Sequence, residues 1–265
     1  MKAITIDLDA GLKEIEILPI ADTHVGDPLS DEKLFRKRVE YVRTTPNAYA
    51  MFNGDLGNYA NKSSPSDIYG EHLSPMKQIE RISDIIRPIK DKTIAVTPGN
   101  HEARIYKNDG VDITRLICRD LGIEDRYSDG AAIVFVRFGQ VNGKTRESNG
   151  SGEIRKMCYT IYMNHGSGGG RKEGAKAIRL ADMAAIIDAD VYVHSHTHLG
   201  MAMKQAFFRI DARNNSYRSV EKLFVNTGAL LDYGGYAETG EYKPAGKDTP
   251  HIFLSGSDRR MRATL

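Results

Sequence analysis

Apolar residues fall into short runs and helix-spaced stripes that alternate along the first half of the chain. Apolar runs at 13–20, 48–53 and 93–97 predict strands, because short runs followed by turn residues are typical of buried sheets. Helical spacing predicts helices over 30–45 and 75–90, and a further helix over 112–121 ends at a glycine. This alternation predicts a largely parallel sheet with helices packed on it.

The second half of the chain is richer in predicted strands. Two alternating runs, 131–138 and 156–163, flank a Gly-rich connection at 139–152 and predict a hairpin. A helix is predicted over 175–188 and a strand over 189–193, and β-rich segments follow around 207–210 and 222–226. The tail, which contains Arg259, Arg260 and Arg262, has no clear period and is interpreted as a solvated terminus. Without a repeat or a dividing linker, we expect one domain over residues 1–265.

Composition adds limits rather than a function. A chain of 265 residues can form one large α/β domain, and 40% hydrophobic and 27% charged residues are ordinary for a globular protein. The formal net charge of +2 neither requires nor excludes a nucleic-acid partner. Two cysteines are too few for a disulfide framework, and the N-terminus lacks the pattern of a signal peptide. No apolar run approaches the ~20 residues of a membrane span, so we expect a cytoplasmic protein that does not associate with membranes.

Five predicted strand ends carry polar side chains of the kind that bind metals. They are Asp22 with His24, Asp55 after Gly54, the Gly-Asn-His-Glu sequence at 99–102, His165 after Asn164, and His196 with His198. Because functional groups gather outside the carboxyl ends of strands in open α/β sheets, we expect these side chains to line one cavity. Mixed nitrogen and oxygen ligands suit manganese, iron, zinc or nickel. The set is too large for one ion, so the sequence predicts two divalent transition-metal ions.

The ordered set Asp-x-His, Gly-Asp, Gly-Asn-His-Glu, His and x-His-x-His resembles the calcineurin-like metallophosphoesterase family, from about residue 15 to 228. The resemblance implies an α/β four-layer sandwich of two mixed β-sheets flanked by α-helices. It also implies a first ion on Asp22, His24 and His198, a second ion on Asn100, His165 and His196, Asp55 as the bridge between them, and His101 as the catalytic imidazole. The Gly-rich sequence after residue 164 resembles that of phage- and prophage-encoded members. Ser195 departs from the usual glycine, and His194 has no role in the family pattern.

The chemistry expected of such a site is phosphoester hydrolysis. Two cations would clamp a phosphoryl group, and a hydroxide bridging them would attack phosphorus. Asp55 suits the bridge because a carboxylate has two oxygens to share. His101 would donate a hydrogen bond or a proton to the leaving oxygen, a role worth typically ~10²–10⁴-fold in rate. We therefore expect a dinuclear phosphodiesterase, with manganese as the metal that the resemblance favours.

Alternatives stay open at this stage. They are a nuclease acting on DNA or RNA, a phosphomonoesterase and a non-catalytic metal-binding module. The intact His101 argues against the module, and the chain has no room for the capping domain of related nucleases. The candidate substrate contacts are Arg104 and, from the polar stretch at 57–74, Asn58, Tyr59 and His72. A Gly-rich run at 166–170 lacks the Lys-Ser/Thr of a P-loop and is interpreted as a rim beside the site. The pattern predicts a phosphate ester as substrate, with nucleotides and nucleic acids open, and leaves the oligomeric state undecided.

Overall fold

The computed structural model describes residues 1–62, 64, 68–140, 156–168 and 170–265. The strands are β1 (Lys2–Asp7), β2 (Glu14–Ile20), β3 (Ala48–Asn53), β4 (Thr93–Thr97), β5 (Ala132–Phe138), β6 (Met157–Asn164), β7 (Val191–His194), β8 (Met201–Asp211), β9 (Ser216–Asn226), β10 (His251–Ser255) and β11 (Met261–Thr264). The α-helices are α1 (Glu32–Thr44), α2 (Pro75–Ile86), α3 (Asn100–Asp109), α4 (Ile113–Leu121), α5 (Glu173–Ile186) and α6 (Gly235–Thr239). Short 3₁₀ segments cover Arg87–Lys92 and Glu124–Arg126.

The strands form two mixed sheets that pack face to face. The six-stranded sheet has the order β1-β5-β6-β7-β9-β8, and the five-stranded sheet has the order β11-β10-β2-β3-β4. Helices α1, α2 and α4 share one apolar cluster with β2, β3 and β4, whereas α5 shares another with β6, β7 and β9. A third cluster, with residues of both sheets, fills the space between them. The result is the expected four-layer α/β sandwich.

Local sequence explains where the two long helices of the outer layer begin. Asp31 caps α1, because its side chain accepts a hydrogen bond from the backbone N–H of Leu34. Pro75 occupies the first turn of α2, where its missing N–H costs nothing. The predicted helix over 75–90 is shorter in the structure, and a 3₁₀ segment containing Pro88 replaces its last turn.

The strand predictions of the second half hold, and the structure extends them. Strands β5 and β6 pair antiparallel as the predicted hairpin, although positions 141–152 of their connection lie outside the described residues. The segments predicted around 207–210 and 222–226 belong to two strands of 11 residues each, β8 and β9. Strand β1 and helix α3 were not predicted.

The tail is more ordered than its sequence indicates, although Arg259, Arg260 and Arg262 are exposed as expected. Strand β11 pairs with β10 at the edge of the five-stranded sheet. The guanidinium of Arg262 lies 3.6 Å from the ring centroid of Phe253, and Arg259 donates to both carboxylate oxygens of Asp190 at 3.0 Å. These contacts order the tail, whereas its sequence has no amphipathic period. No helix in the described part of the chain has the length and apolar character needed to cross a bilayer.

Candidate metal centre

The polar residues of the five strand ends lie together at one edge of the sandwich. The loops after β2, β3 and β4 carry Asp22, Asp55 and Asn100 from one sheet, and the loops after β6 and β7 carry His165 and His196 from the other. Each sheet therefore contributes side chains to the same cluster at this edge. The side chains that were expected to lie together therefore come from the carboxyl ends of strands in both sheets.

Three groups of these side chains have ligand atoms close enough to share an ion. Their ligand atoms lie within 4.8 Å of one another in each group, and the groups are Asp22 with His24 and His198, Asp55 with His165 and His196, and Asp55 with His24 and His101. Asn100 lies beside the second group, because its Oδ1 is 3.2 Å from Nε2 of His165. The first group has the same members as the first ligand set that the family resemblance implies, and the second contains His165 and His196 of the second set together with Asp55, the implied bridge.

The backbone at this edge is strained where ligands are presented. Asp22, His24, Asp55, His196 and His198 all have positive φ values, between 44° and 64°. L-residues rarely adopt this left-handed conformation, which costs on the order of 1–3 kcal/mol and is concentrated at functional sites. The left-handed residues are thus among those whose ligand atoms lie within 4.8 Å of one another within a group.

Two glycines allow the loops of β3 and β4 to touch. A Cβ added at Gly99 would lie 2.1 Å from Oδ1 of Asp55, and one added at Gly54 would lie 2.4 Å from the backbone nitrogen of Gly99. Gly54 also has a φ of +85°. Any side chain at either position would push Asp55 away from Asn100 and His101.

Glu102 holds the same two loops together by its carboxylate. Its Oε2 accepts the N–H groups of Asp55 and Gly99, both at 2.9 Å, and its Oε1 accepts those of Leu56 at 2.8 Å and Gly57 at 3.3 Å. The side chain is buried, so burial and nearby Asp55 raise its pKa. Sequence reasoning gave Glu102 no role, although an acid three residues after a helix-start glycine is a capping signal.

Asn53, at the end of β3, connects the two sheets beneath the centre. Its Nδ2 donates to Oγ of Ser195 at 2.8 Å and to the carbonyl of Asn164 at 3.1 Å, and its Oδ1 accepts from Oγ1 of Thr97 at 2.8 Å. The carbonyl of Asn53 is also 2.6 Å from Nδ1 of His165. Ser195, the residue that replaces the usual glycine, is therefore fully buried and hydrogen-bonded.

Hydrogen bonds decide which imidazole nitrogen faces the centre. A backbone carbonyl can only accept, so the contact with Asn53 places the proton of His165 on Nδ1 and leaves Nε2 toward Asp55 Oδ2, 3.1 Å away. The carbonyl of Asn58 fixes His101 in the same way at 2.6 Å. His194 pairs instead with Oδ1 of Asn226 at 2.7 Å, which agrees with a supporting role rather than a ligand role.

The protonation states fit metal ligation. Burial and neighbouring His101 lower the pKa of His24 to about 3, and burial and His165 lower that of His196 to about 4. Both imidazoles are therefore neutral near pH 7, the form that binds metals. Burial opposes the charge on His165, but the carboxylates of Asp55 and Asp22 outweigh it and raise its pKa to about 10. A bound dication would take the place of that proton.

The carboxylates stay ionised despite their burial. Burial raises the pKa of both Asp22 and Asp55, but the surrounding histidines outweigh it and hold both pKa values below the usual range. Within the described residues, Asp22 Oδ1 and His24 Nε2 are buried without a hydrogen-bond partner. They lie 4.0 Å apart, and Nε2 of His198 lies 3.2 Å from the same oxygen. Oxygen and nitrogen lone pairs that converge in this way fit a divalent cation.

The candidate substrate contacts occupy different environments. Arg104 is half-buried, and its Nη1 donates to Oγ of Ser64 at 2.5 Å. His72 is exposed. Asn58 is buried, and its backbone carbonyl contacts Nδ1 of His101. The side chain of Tyr59 is completely buried and belongs to the apolar core.

Tyr59 is buried because the preceding loop makes room for its ring. A Cβ at Gly57 would lie 2.3 Å from Cζ of Tyr59, so only glycine accommodates the ring there. Positions 63 and 65–67 of the stretch predicted to roof the site lie outside the described residues.

The fold and the convergent Asp/His clusters define a metal-dependent phosphoesterase. The model of the calcineurin-like phosphoesterase family matches residues 15–200. The chain belongs to this family. No curated protein matches the sequence.

Several solved structures resemble this one. A Vps29 double mutant from Entamoeba histolytica is 13% identical, with a TM-score of 0.45 over 94% of this chain and 90% of that chain. GAP50, the anchor in the inner membrane complex of Plasmodium, is 10% identical, with a TM-score of 0.44 over 95% and 84%. A metallophosphoesterase from Sphaerobacter thermophilus is 11% identical, with a TM-score of 0.38 over 91% and 84%. Likenesses at this level carry no argument about the activity of this chain.

Proposed function

We propose that this protein is a dinuclear metal-dependent phosphodiesterase. Asp22, His24 and His198 would hold one divalent ion, Asn100, His165 and His196 the other, and Asp55 would contribute one oxygen to each. When bound, two such ions supply Lewis acidity, which neutralises phosphate oxygens and lowers the pKa of water. Hydrolysis then breaks one phosphorus–oxygen bond of the ester and forms another to the oxygen of water.

The pair of orphaned polar atoms is the observation that carries this proposal. An unsatisfied buried polar atom costs about 1–3 kcal/mol, more when it is charged. Asp22 Oδ1 and His24 Nε2 are both buried without a hydrogen-bond partner in the described part of the chain. They face each other across 4.0 Å. A cation between them would satisfy both atoms.

His101 is the residue that we assign to proton transfer. Its Nδ1 is occupied by the carbonyl of Asn58, so Nε2 is the nitrogen that faces the centre, 3.8 Å from Oδ2 of Asp55. The ring is slightly exposed, which leaves it accessible to a substrate. Protonated His101 can therefore hold a hydrogen toward the leaving oxygen while its orientation stays fixed.

Arg104 is the residue that we assign to a non-bridging phosphate oxygen, because a guanidinium forms charge-assisted hydrogen bonds with phosphate. It is half-buried, and its Nη1 also donates to Oγ of Ser64.

The test is hydrolysis of bis(p-nitrophenyl) phosphate beside p-nitrophenyl phosphate, each with manganese, iron, zinc, nickel or chelator. We expect turnover of the diester that is highest with manganese and is abolished by chelator. Substitution of residues that only support a metal ligand typically lowers activity ~10–100-fold. His196→Ala removes a proposed ligand itself, so it should lower kcat/KM by more than that. His251→Gln is the matched control, because His251 contacts Glu16 and Tyr41 on another part of the molecule.

Each other outcome points to a different class of protein. Preference for the monoester would indicate a phosphomonoesterase. Bound metal without turnover of either ester would indicate a metal-binding module. Hydrolysis that is unchanged by chelator and by His196→Ala would refute the proposal.

A further inference from the structure

The loop between β9 and β10, residues 228–248, begins at the candidate metal centre. We call it the tyrosine loop. Its two ends are joined, because the N–H of Gly228 donates to the carbonyl of Asp248 at 2.9 Å. Two residues after its start, the N–H of Leu230 donates to the carbonyl of Asp22, also at 2.9 Å. The loop is thereby attached to a proposed metal ligand.

Ion pairs attach the tyrosine loop to two helices. Lys247 donates to carboxylate oxygens of Asp31 at 2.6 Å and Asp232 at 2.7 Å, and Asp31 is the N-cap of α1. Lys243 donates to Glu173, in the first turn of α5, at 2.7 Å. The loop therefore forms a wall beside the centre, between the N-terminal ends of α1 and α5.

Three planar groups lie in a row on this wall. The guanidinium carbon of Arg171 is 5.3 Å from the ring centroid of Tyr242. The ring of Tyr242 is 5.7 Å from that of Tyr236, with an angle of 35° between the planes. Tyr236 ends the row and is 55% exposed. An aromatic ligand can extend the row by stacking on Tyr236.

The α5 side of the row carries excess positive charge. Residues 171–179 contain four cations, Arg171, Lys172, Lys176 and Arg179, and one carboxylate, Glu173. Glu173 is already engaged by Lys243, whereas Arg171, Lys172 and Arg179 are exposed and form no ion pair within the described residues. The tyrosine loop itself is acidic, because its four carboxylates, Asp232, Glu238, Glu241 and Asp248, outnumber Lys243 and Lys247, so the positive charge of this surface lies on residues 171–179.

The row is within reach of the metal centre. Arg171 follows His165 by six residues, so the two are at most ~21 Å apart along an extended backbone. Tyr236 likewise follows Leu230 by six residues, so the same upper limit applies to the distance between them. A strand of a few linked nucleotides spans such a distance with one phosphate at the centre and a base on the row.

We propose that the tyrosine loop and residues 171–179 bind single-stranded nucleic acid. Exposed aromatic rings with flanking cations are the combination that binds single strands, because bases stack on the rings and phosphates pair with the cations. A base stacks on Tyr236, and Arg171, Lys172 and Arg179 contact the backbone phosphates. This inference rests on the proposed function, and it makes a nucleic-acid strand the substrate of the phosphodiesterase.

The first test measures binding without turnover. A fluorescent ten-residue oligothymidylate is titrated with the full-length protein in chelator, and anisotropy gives the Kd. Because stacking is worth ~1–3 kcal/mol per base, we expect Tyr236→Ala to weaken binding by about 5- to 150-fold and Tyr236→Phe to retain it. Tyr217→Ala is the matched control: that tyrosine is 72% exposed and lies nine residues before the end of β9, about 30 Å away along the strand.

The ligand and the salt dependence separate stacking from charge. An abasic strand of the same length has no base to stack on Tyr236. Its Kd for the wild-type protein should therefore equal the Kd of Tyr236→Ala for the oligothymidylate. Arg171→Gln should reduce the slope of log Kd against log salt by about 0.7, the value for one phosphate on a single strand. With manganese, the ratio of kcat/KM for the oligonucleotide to that for bis(p-nitrophenyl) phosphate should fall in Tyr236→Ala.

Some outcomes would overturn the inference while leaving the proposed function intact. They are equal Kd values for wild type and Tyr236→Ala, equal binding of the abasic strand, or tighter binding of duplex than of single strand. The binding arm needs no hydrolysis, so failure to hydrolyse any ester would count against the proposed function alone.

Discussion

The metal centre and the tyrosine loop lie side by side but are held by different interactions. At the centre, buried hydrogen bonds of Glu102 and Asn53 fix four of the five loops, and five ligand candidates have left-handed backbone. The start of the tyrosine loop is attached by backbone hydrogen bonds, such as that from Leu230 to Asp22, whereas its later part is attached by ion pairs of Lys243 and Lys247, whose side chains are partly or largely exposed. Exposed ion pairs contribute far less than satisfied buried polar groups.

The firmly held centre and the weakly held loop suit two different tasks, hydrolysis and recognition of a substrate. Hydrolysis needs ligand atoms that are fixed before a substrate arrives, because their positions set the geometry of the reaction. Recognition of a polymer tolerates adjustment, and a loop with weak attachments can adapt to the strand that it contacts. We therefore expect substitutions at the centre to change stability and metal affinity, and substitutions in the wall to change substrate preference.

Removal of the Glu102 carboxylate should have the largest effect. Glu102→Ala would leave four buried N–H groups without acceptors, each worth about 1–3 kcal/mol, so we expect the free energy of unfolding to fall by at least about 4 kcal/mol. Urea denaturation measures this change. Glu80→Gln is the control, because Glu80 pairs with Lys77 on the exposed face of α2 and should change stability by less than about 1 kcal/mol.

Equal stability of these two variants would show that the Glu102 carboxylate does not hold the loops of the centre together. Glu102→Gln is a more precise test of the carboxylate. It keeps the shape of the side chain but replaces one acceptor oxygen by an amide N–H₂, which cannot accept hydrogen bonds from the surrounding N–H groups. We expect an intermediate loss of stability and weaker metal binding, read from the metal content after dialysis.

Removal of the Asn53 side chain should have the next largest effect. Asn53→Ala breaks three hydrogen bonds and leaves the hydroxyl of Ser195 buried without its donor, so we expect a loss of about 2–3 kcal/mol. The same denaturation experiment measures it. Asn214→Ala removes an exposed hydrogen bond at the β8–β9 turn and should lie within about 0.5 kcal/mol of wild type. Equal losses in the two variants would show that Asn53 does not join the sheets.

Sequence patterns predicted the ligand-bearing loops well, because each loop follows a strand with an unmistakable apolar run. The same patterns could not reveal the role of Asn53, whose partners Asn164 and Ser195 are more than 100 residues away and come from the other sheet. Helix α3 was missed for a related reason. Its first turn is polar, and Glu102 stabilises its start through bonds to the β3 loop.

Regions without periodicity were the hardest to predict. Tyr59 lies in a polar stretch, yet its ring is in the core because Gly57 leaves space for it. The tyrosine loop has neither strand alternation nor a helical stripe, so its position depends on ion pairs that join residues far apart in sequence, such as Lys247 and Asp31. Short-range pattern cannot specify such contacts.

The smallest effect is expected at the Asp31–Lys247 ion pair, which attaches the wall to α1. The hydrogen bond from Lys247 lowers the pKa of Asp31, and the N–H of Leu34 adds to the effect. A carboxyl with a lowered folded-state pKa contributes stability above its unfolded pKa of about 3.9, and that stability is lost as the pH falls through the folded pKa. Lys247→Ala should therefore cost about 0.2–1 kcal/mol at pH 7, and the difference from wild type should shrink below pH 4. Urea denaturation at pH 7 and pH 3 measures both values. A larger loss at pH 3 than at pH 7 would mean that Lys247 acts through something other than this carboxylate.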